Sequence, residues 1–334
     1  DLKWESPKNV AKVLTQFDPL ARAIKLGKEA GILVLPYFRM LEEAYAPFDG
    51  HKFFRDNPEF WWQSKCGMYK MVGWPCYNYP EVREHMLSRV DDLVKHGVSG
   101  IFFDIARSHI PYFSAYSLGQ DLNSFGFNKP VVDEFKRRYG IDISEFDHTE
   151  EVRSVDRDGM PFVYDYKWVG GPEYDVWAFK KILGEGIEAF IRGVKSKYPD
   201  LYIAVQTGPM ESGGLQEEPP MATFRLDLES LVKDGIVDEY SIPANYRNSA
   251  PEIDSYILPR FQFVKNSNTE LTAWLNDFLT PAGGGGKVDK SVVEQYVDRV
   301  LKSQVDGVFI HEAQFIYDQD DPEFVWKQIA RIKG

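Results

Sequence analysis

The run VSGIFFD, residues Val98–Asp104, decides the fold. Ile101, Phe102 and Phe103 are consecutive and apolar, the pattern of a strand buried on both faces in a parallel sheet. Before it, Glu81–Lys95 has helical periodicity, and Gly97 separates that helix from the strand. Asp104 then ends the run as a carboxylate. In parallel sheets covered by helices, ligands and chemistry gather at the C-terminal ends of the strands.

The same helix–Gly–strand unit recurs on either side. Upstream, Asp18–Ala30 is periodic in Leu20, Ile24 and Leu26, with Asp18 as N-cap, Pro19 at the first helical position and Gly31 as the stop. Ile32–Phe38 follows as a strand. Downstream, helix Asp175–Lys197 leads to strand Leu201–Thr207, and helix Asp227–Lys233 leads through Gly235 to Ile236–Ile242. Leu271–Leu275 is a fifth strand, helix Lys290–Gln304 leads to Val308–Glu312, and Pro322–Ile332 is a last helix.

Six β units alternating with helices predict a parallel sheet in an α/β fold. A (β/α)8 TIM barrel spanning 1–334 as a single catalytic domain is preferred over a doubly wound open sheet. No Gly-rich phosphate fingerprint follows an early strand, and the loops after the strands are long. Six strands are two short of eight. The expectation is that the first two precede Asp1, or that residues Asp1–Phe17 stand in for them.

Two insertions exceed ordinary loop lengths. Met40–Tyr79 is rich in Trp, Phe and Pro, and Ile105–Asp175 holds a helix at Pro130–Tyr139. Gly283–Gly286 reads as a loop tip.

The chain is 43% hydrophobic and 27% charged, with net charge −12 and pI about 5.1. That acidity argues against nucleic acid or an anionic membrane as partner, and no apolar run has the length of a membrane span. No signal peptide is read in the chain. Cys66 and Cys76 have no metal-ligand spacing; a local disulfide and two separate thiols are equal expectations. No HxH, HExxH, GxSxG or P-loop pattern is present, so neither cofactor nor metal is expected. Asp318–Asp321 (DQDD) lacks the full calcium-loop pattern and reads as a solvated acidic turn.

Three segments carry a resemblance: FDPLARAIKLGKEAGILVLPYF (17–38), YNYPEVREHMLSRVDDLVKHGVSGIFFD (77–104) and VVDEFKRRYGID (131–142). In order and spacing they resemble the bacterial family 10-like glycoside hydrolases of the TIM-barrel glycosidase superfamily. The resemblance covers Phe17–Ile143; beyond it only the strand–helix rhythm continues. It implies a secreted or periplasmic enzyme acting on a poly- or oligosaccharide. By the resemblance, Val98–Asp104 is the fourth strand, whose terminal Asp is often the nucleophile.

Glycoside hydrolysis needs two carboxyl groups facing one bond. Asp104 is the first choice. Glu312 is its expected partner, on the face shared with Val308 and Ile310 by period two, and Asp277 and Glu211 are the reserves. Gln206, Asn245 and Tyr246 lie where they would hydrogen-bond sugar hydroxyls. Trp61, Trp62, Trp74 and Trp274 offer stacking faces, and at least one of the first three is expected to line a subsite. A small core under the loop is the alternative. Arg39, Arg107 and His109 would suit an anionic sugar. Asp238 and Glu239 read as charges on the N-terminal rim. The rival readings are a non-catalytic carbohydrate-binding barrel and a metal-dependent lyase or isomerase.

Overall fold

A computed structural model describes residues 14–41, 52–65, 67, 70–105, 125–145, 149–155, 161–168, 176–206, 226–242, 262–274, 287–302, 305–310 and 314–333. The architecture is mixed α/β. The described residues form ten strands: β1 (Tyr37–Arg39), β2 (Trp61–Gln63), β3 (Lys70–Pro75), β4 (Gly100–Asp104), β5 (Thr149–Val155), β6 (Pro161–Trp168), β7 (Tyr202–Gln206), β8 (Glu239–Ile242), β9 (Glu270–Trp274) and β10 (Gly307–Phe309). Six of them make one sheet in the order β1-β4-β7-β8-β9-β10, every pairing parallel.

The helices begin and end where their caps dictate. In Pro19–Ala30 the Asp18 carboxylate accepts from the Ala21 N–H at 2.9 Å, and Gly31 leaves the helix at φ 68°. Pro80–Lys95 starts on its proline, Lys129–Tyr139 stops at Gly140, and Asp227 caps Leu228–Lys233 by accepting from the Ser230 N–H at 3.0 Å. Val176–Lys197, Lys290–Lys302 and Pro322–Ala330 complete the long helices.

The expected strand Ile32–Phe38 shrinks to the three residues of β1. Pro36 has no N–H for a ladder, and β1 is paired on one side only. Ile32 and Leu33 are exposed as a result. The expected strand Val308–Glu312 shortens to Gly307–Phe309, and residues 311–313 lie outside the described residues.

Strand alternation gives the sheet two unlike faces. On one, Phe38 and Phe103 meet Phe190 of the Val176–Lys197 helix, with ring centroids 6.2 and 5.7 Å apart; Ile101, Ile203, Val205, Tyr240 and Leu271 join that core. On the other, Tyr37 stacks on Phe102 at 5.5 Å, and Phe102 stacks on Phe309 at 4.9 Å. β4 and β10 stand four positions apart in the sheet. In a flat sheet that would be about 19 Å, at about 4.8 Å per strand. The sheet is therefore strongly curled, with Tyr37, Phe102 and Phe309 on its concave face. Among the described residues, no strand pairs with the outer edge of β1 or of β10.

Both long insertions contain an antiparallel pair: β2 with β3, and β5 with β6. Asn128 ties the first pair down. Its Nδ2 donates to the carbonyls of Glu59 (2.9 Å) and Trp61 (2.8 Å), and its Oδ1 accepts from the Gln63 N–H at 3.2 Å.

Candidate functional site

Strand pairing sets a row of side chains across the sheet at one level: Arg39, Asp104, Gln206, Ser241, Thr272 and Gly307. Arg39, Asp104 and Gln206 are the last residues of their strands. The row thus lies at the C-terminal ends of β1, β4 and β7, crosses β8 and β9 before their last residues and meets the first residue of β10, and parity places it on the concave face with Phe102. Asp104 is 1% exposed. The Tyr37 hydroxyl, two residues before Arg39 on the same strand, donates to Asp104 Oδ2. The Arg39 guanidinium lies 5.7 Å from the Tyr37 ring centre. Gln206 (1% exposed) and Ser241 (0%) are as buried as Asp104, yet among the described residues Gln206 Oε1 and Ser241 Oγ have no hydrogen-bond partner. Buried polar atoms are nearly always paired, so each such exception calls for an explanation.

The next level toward the N-terminal ends holds Tyr37, Phe102, Ala204, Glu239 and Glu270. Glu239 and Glu270 are neighbours on adjacent strands. The Tyr202 hydroxyl lies 3.3 Å from Glu239 Oε2 and 3.1 Å from Glu270 Oε2, and Thr272 Oγ1 donates to Glu239 Oε1 at 2.8 Å. Burial first, and then the charge of Glu270, push the Glu239 carboxyl above its ordinary range, against the hydrogen bonds from Thr272 and Tyr202. Burial, followed by the two carboxylates, pushes the Tyr202 phenol up as well.

The sequence expectations fare unevenly against this geometry. Asp104, Arg39 and Gln206 come together in one row. Glu312, Asp277, Glu211, Arg107, His109, Asn245 and Tyr246 lie outside the described residues. Trp274 ends β9, in register with Phe309. The expected sugar platform among Trp61, Trp62 and Trp74 does not form. All three are 1–3% exposed, with Trp62 edge-on to Trp74 at 4.8 Å and Trp61 stacked on Phe54 at 4.4 Å. Their faces are spent on a small core beneath β2 and β3, and none is open to a sugar.

Asp238 holds the rim as expected, accepting from Lys195 Nζ at 2.9 Å and from the Ile203 N–H at 2.8 Å. Glu239, the first residue of β8, lies at the same N-terminal end, with its side chain on the concave face. Cys76 is a buried free thiol pushed up to about 12 by burial, and Cys66 lies outside the described residues. Asp320 and Asp321 of the acidic turn pair with Lys287 and Lys290, and Asp321 caps the Pro322–Ala330 helix. Among the described residues, no three His, Cys, Asp or Glu converge as metal ligands, and no helix is long and apolar enough to cross a membrane.

Ser241, Thr272, Glu270 and Tyr37 were not singled out from sequence. The signal was present: Glu239-x-Ser241 and Glu270-x-Thr272 repeat the same alternation on neighbouring strands, with apolar residues between.

No protein-family model matches the sequence, and no curated protein matches it. Solved structures similar to it include the glycoside hydrolase domain of PelA from Pseudomonas aeruginosa, at 14% identity and TM-score 0.43, covering 87% of this chain and 82% of that one. An uncharacterized protein from Listeria monocytogenes EGD-e is similar at 10% identity and TM-score 0.47, covering 95% of this chain and 24% of that one. A GH36 alpha-galactosidase from Geobacillus stearothermophilus, in complex with raffinose, is similar at 10% identity and TM-score 0.43, covering 95% and 33%. This chain therefore spans a quarter to a third of the last two proteins. At these scores none of the three defines a family for it.

Proposed function

We propose that the chain is a glycoside hydrolase of the (β/α)-barrel type, secreted or periplasmic, with Asp104 as one of its two working carboxylates. The observation that carries this reading is the setting of Asp104. It is a buried carboxylate at the C-terminal end of a central parallel strand, on the concave face, with a phenol donating to one oxygen. A donor on Oδ2 fixes the orientation of the carboxyl group and leaves Oδ1 to face an anomeric carbon or a water. Gln206 stands beside it to take a sugar hydroxyl. Arg39, in the same row, would meet an anionic group if the sugar carries one. The second carboxylate is assigned to Glu312, ahead of Asp277 and Glu211, on the period-two pattern that it shares with Val308 and Ile310 in the sequence. The carboxylate separation decides the outcome: about 5 Å for retention, roughly 6.5–9.5 Å for inversion.

Asp104→Asn tests the reading on a panel of neutral and uronic oligosaccharides. Loss of a positioned acid or base is worth about 10²–10⁴-fold in rate. A fall of that size with sugar binding retained is the expected result. An unchanged rate removes Asp104 from the chemistry. Binding without hydrolysis by the wild type would replace the enzyme with a carbohydrate-binding barrel.

A further inference from the structure

Glu239 and Glu270 face one another with no cation between them. Among the described residues neither has a Lys or Arg within ion-pair distance, and Lys195, from the neighbouring helix, is held by Asp238. Tyr202 cannot resolve the pair alone. Its hydroxyl has a single proton, and the two carboxylate oxygens it touches lie at 3.3 and 3.1 Å. Only one of those contacts can be a donation from Tyr202; the other needs a proton or a cation from elsewhere.

A second, independent observation lies directly above. Ser241 Oγ and Gln206 Oε1 are buried, unpartnered and on the same concave face. The Glu239 carboxylate reaches their level, since it accepts from the hydroxyl of Thr272, the register partner of Ser241. Strand register thus sets Gln206 and Ser241 in line with Thr272, whose hydroxyl reaches Glu239 from the same face.

We infer that Glu239 and Glu270, completed by the Ser241 hydroxyl and the Gln206 amide oxygen, form a binding site for a hard divalent cation of the Ca²⁺ class. Every donor is oxygen, which selects hard cations over zinc or copper. The oxygens come from side chains on three strands, as suits the flexible, many-ligand shell of Ca²⁺; Mg²⁺ demands strict octahedral geometry and keeps its waters. Glu270 is exposed, which gives the ion a way in. The ion would supply the missing positive charge and partner the two orphan oxygens at once. Its two carboxylates lie one side-chain level below Asp104, and Ser241 and Gln206 close it from the level of Asp104 itself.

The test uses the full chain, stripped with chelator and desalted, and titrated with Ca²⁺, Mg²⁺ and Tb³⁺. Expected are saturable one-to-one Ca²⁺ binding by calorimetry, a raised Tm, and Tb³⁺ emission on tyrosine excitation that Ca²⁺ displaces. Mg²⁺ should bind at least tenfold more weakly. Glu270→Gln, at an exposed position that spares the fold, should weaken Ca²⁺ at least tenfold. Glu239→Gln should do the same, and Ser241→Ala severalfold. Asp318→Asn and Asp320→Asn in the acidic turn should change nothing. Absence of heat and of Tb³⁺ emission in the wild type at millimolar ion overturns the site. So does binding that survives both Glu→Gln changes, or that vanishes only when the acidic turn is altered. Equal affinity for Mg²⁺ overturns the calcium assignment. None of these readouts passes through sugar hydrolysis, so this site and the role of Asp104 stand or fall separately.

Discussion

Tyr37 is the residue through which Asp104 is held in place. Its ring is fixed by stacking on Phe102, and its hydroxyl donates to Asp104 Oδ2 across the β1–β4 pairing. Tyr37→Phe keeps the ring and removes one donor to a charged group. Such a bond is worth about 1.5–3 kcal/mol, or roughly 10- to 100-fold in rate where the carboxylate acts in the transition state. The expected outcome is a fall of that size in kcat with KM little changed, measured on whichever sugar the wild type cleaves. A variant that keeps full activity would show that the phenol packs against Asp104 without orienting it. Asp104 itself was legible because it ends an apolar run. Tyr37 was not, because nothing in PYFR says which of two aromatic neighbours faces the sheet's concave side; the pairing with β4 decides that.

At the scale of elements, the helices were readable because their ends carry local chemistry. Asp18, Pro19 and Gly31 do at Pro19–Ala30 what their types do anywhere. The β-hairpin of β5 and β6 was missed although its signals were present. Asp158-Gly159 lies between the alternating VRSV and the aromatic-rich PFVYDYKW, and the pairing brackets it. The row of Arg39, Asp104, Gln206 and Ser241 was only half legible, since register between distant strands is set by the whole sheet and not by any one segment.

One link between elements is testable in isolation. Arg138 donates to Glu134 on its own helix at 2.7 Å, and to both oxygens of Glu185 on the Val176–Lys197 helix at 2.8 and 2.6 Å. Exposed pairs of this kind contribute about 0.2–1 kcal/mol after screening, so Arg138→Ala is expected to cost no more than about 1 kcal/mol at pH 7 and less in high salt. The pH dependence has a definite sign. Hydrogen bonds from Arg137 first and Arg138 second hold Glu134 at about 2, below its ordinary 4.5. A depressed carboxyl contributes its stability above pH 4.5 and loses it as the pH falls toward 2. The gap between wild type and Arg138→Ala in urea midpoints should narrow over that window. A gap that widens on acidification would contradict this reading of the pair.

For the whole molecule, the decisive contact is between strands that do not pair. Phe102 and Phe309 stack at 4.9 Å although β7, β8 and β9 stand between their strands. That contact is what makes one face concave and brings Asp104, Gln206, Ser241 and Glu239 toward a common space. A flat sheet would leave the two rings independent. A double-mutant cycle distinguishes the two shapes. Phe102→Leu and Phe309→Leu keep most of the volume and should each cost less than about 1.5 kcal/mol where the site repacks. Distant, independent sites add to within about 0.3–0.5 kcal/mol, whereas an aromatic pair in contact contributes about 0.5–1.5 kcal/mol beyond its buried area. The expected coupling energy, from urea unfolding of the wild type, the two single variants and the double variant, is about 1 kcal/mol. Strict additivity would mean that the rings do not touch in solution and that the sheet is flatter than the structure has it. The enclosed space in front of Asp104 would then be lost, whereas Glu239 and Glu270, register partners on adjacent strands, would stay side by side.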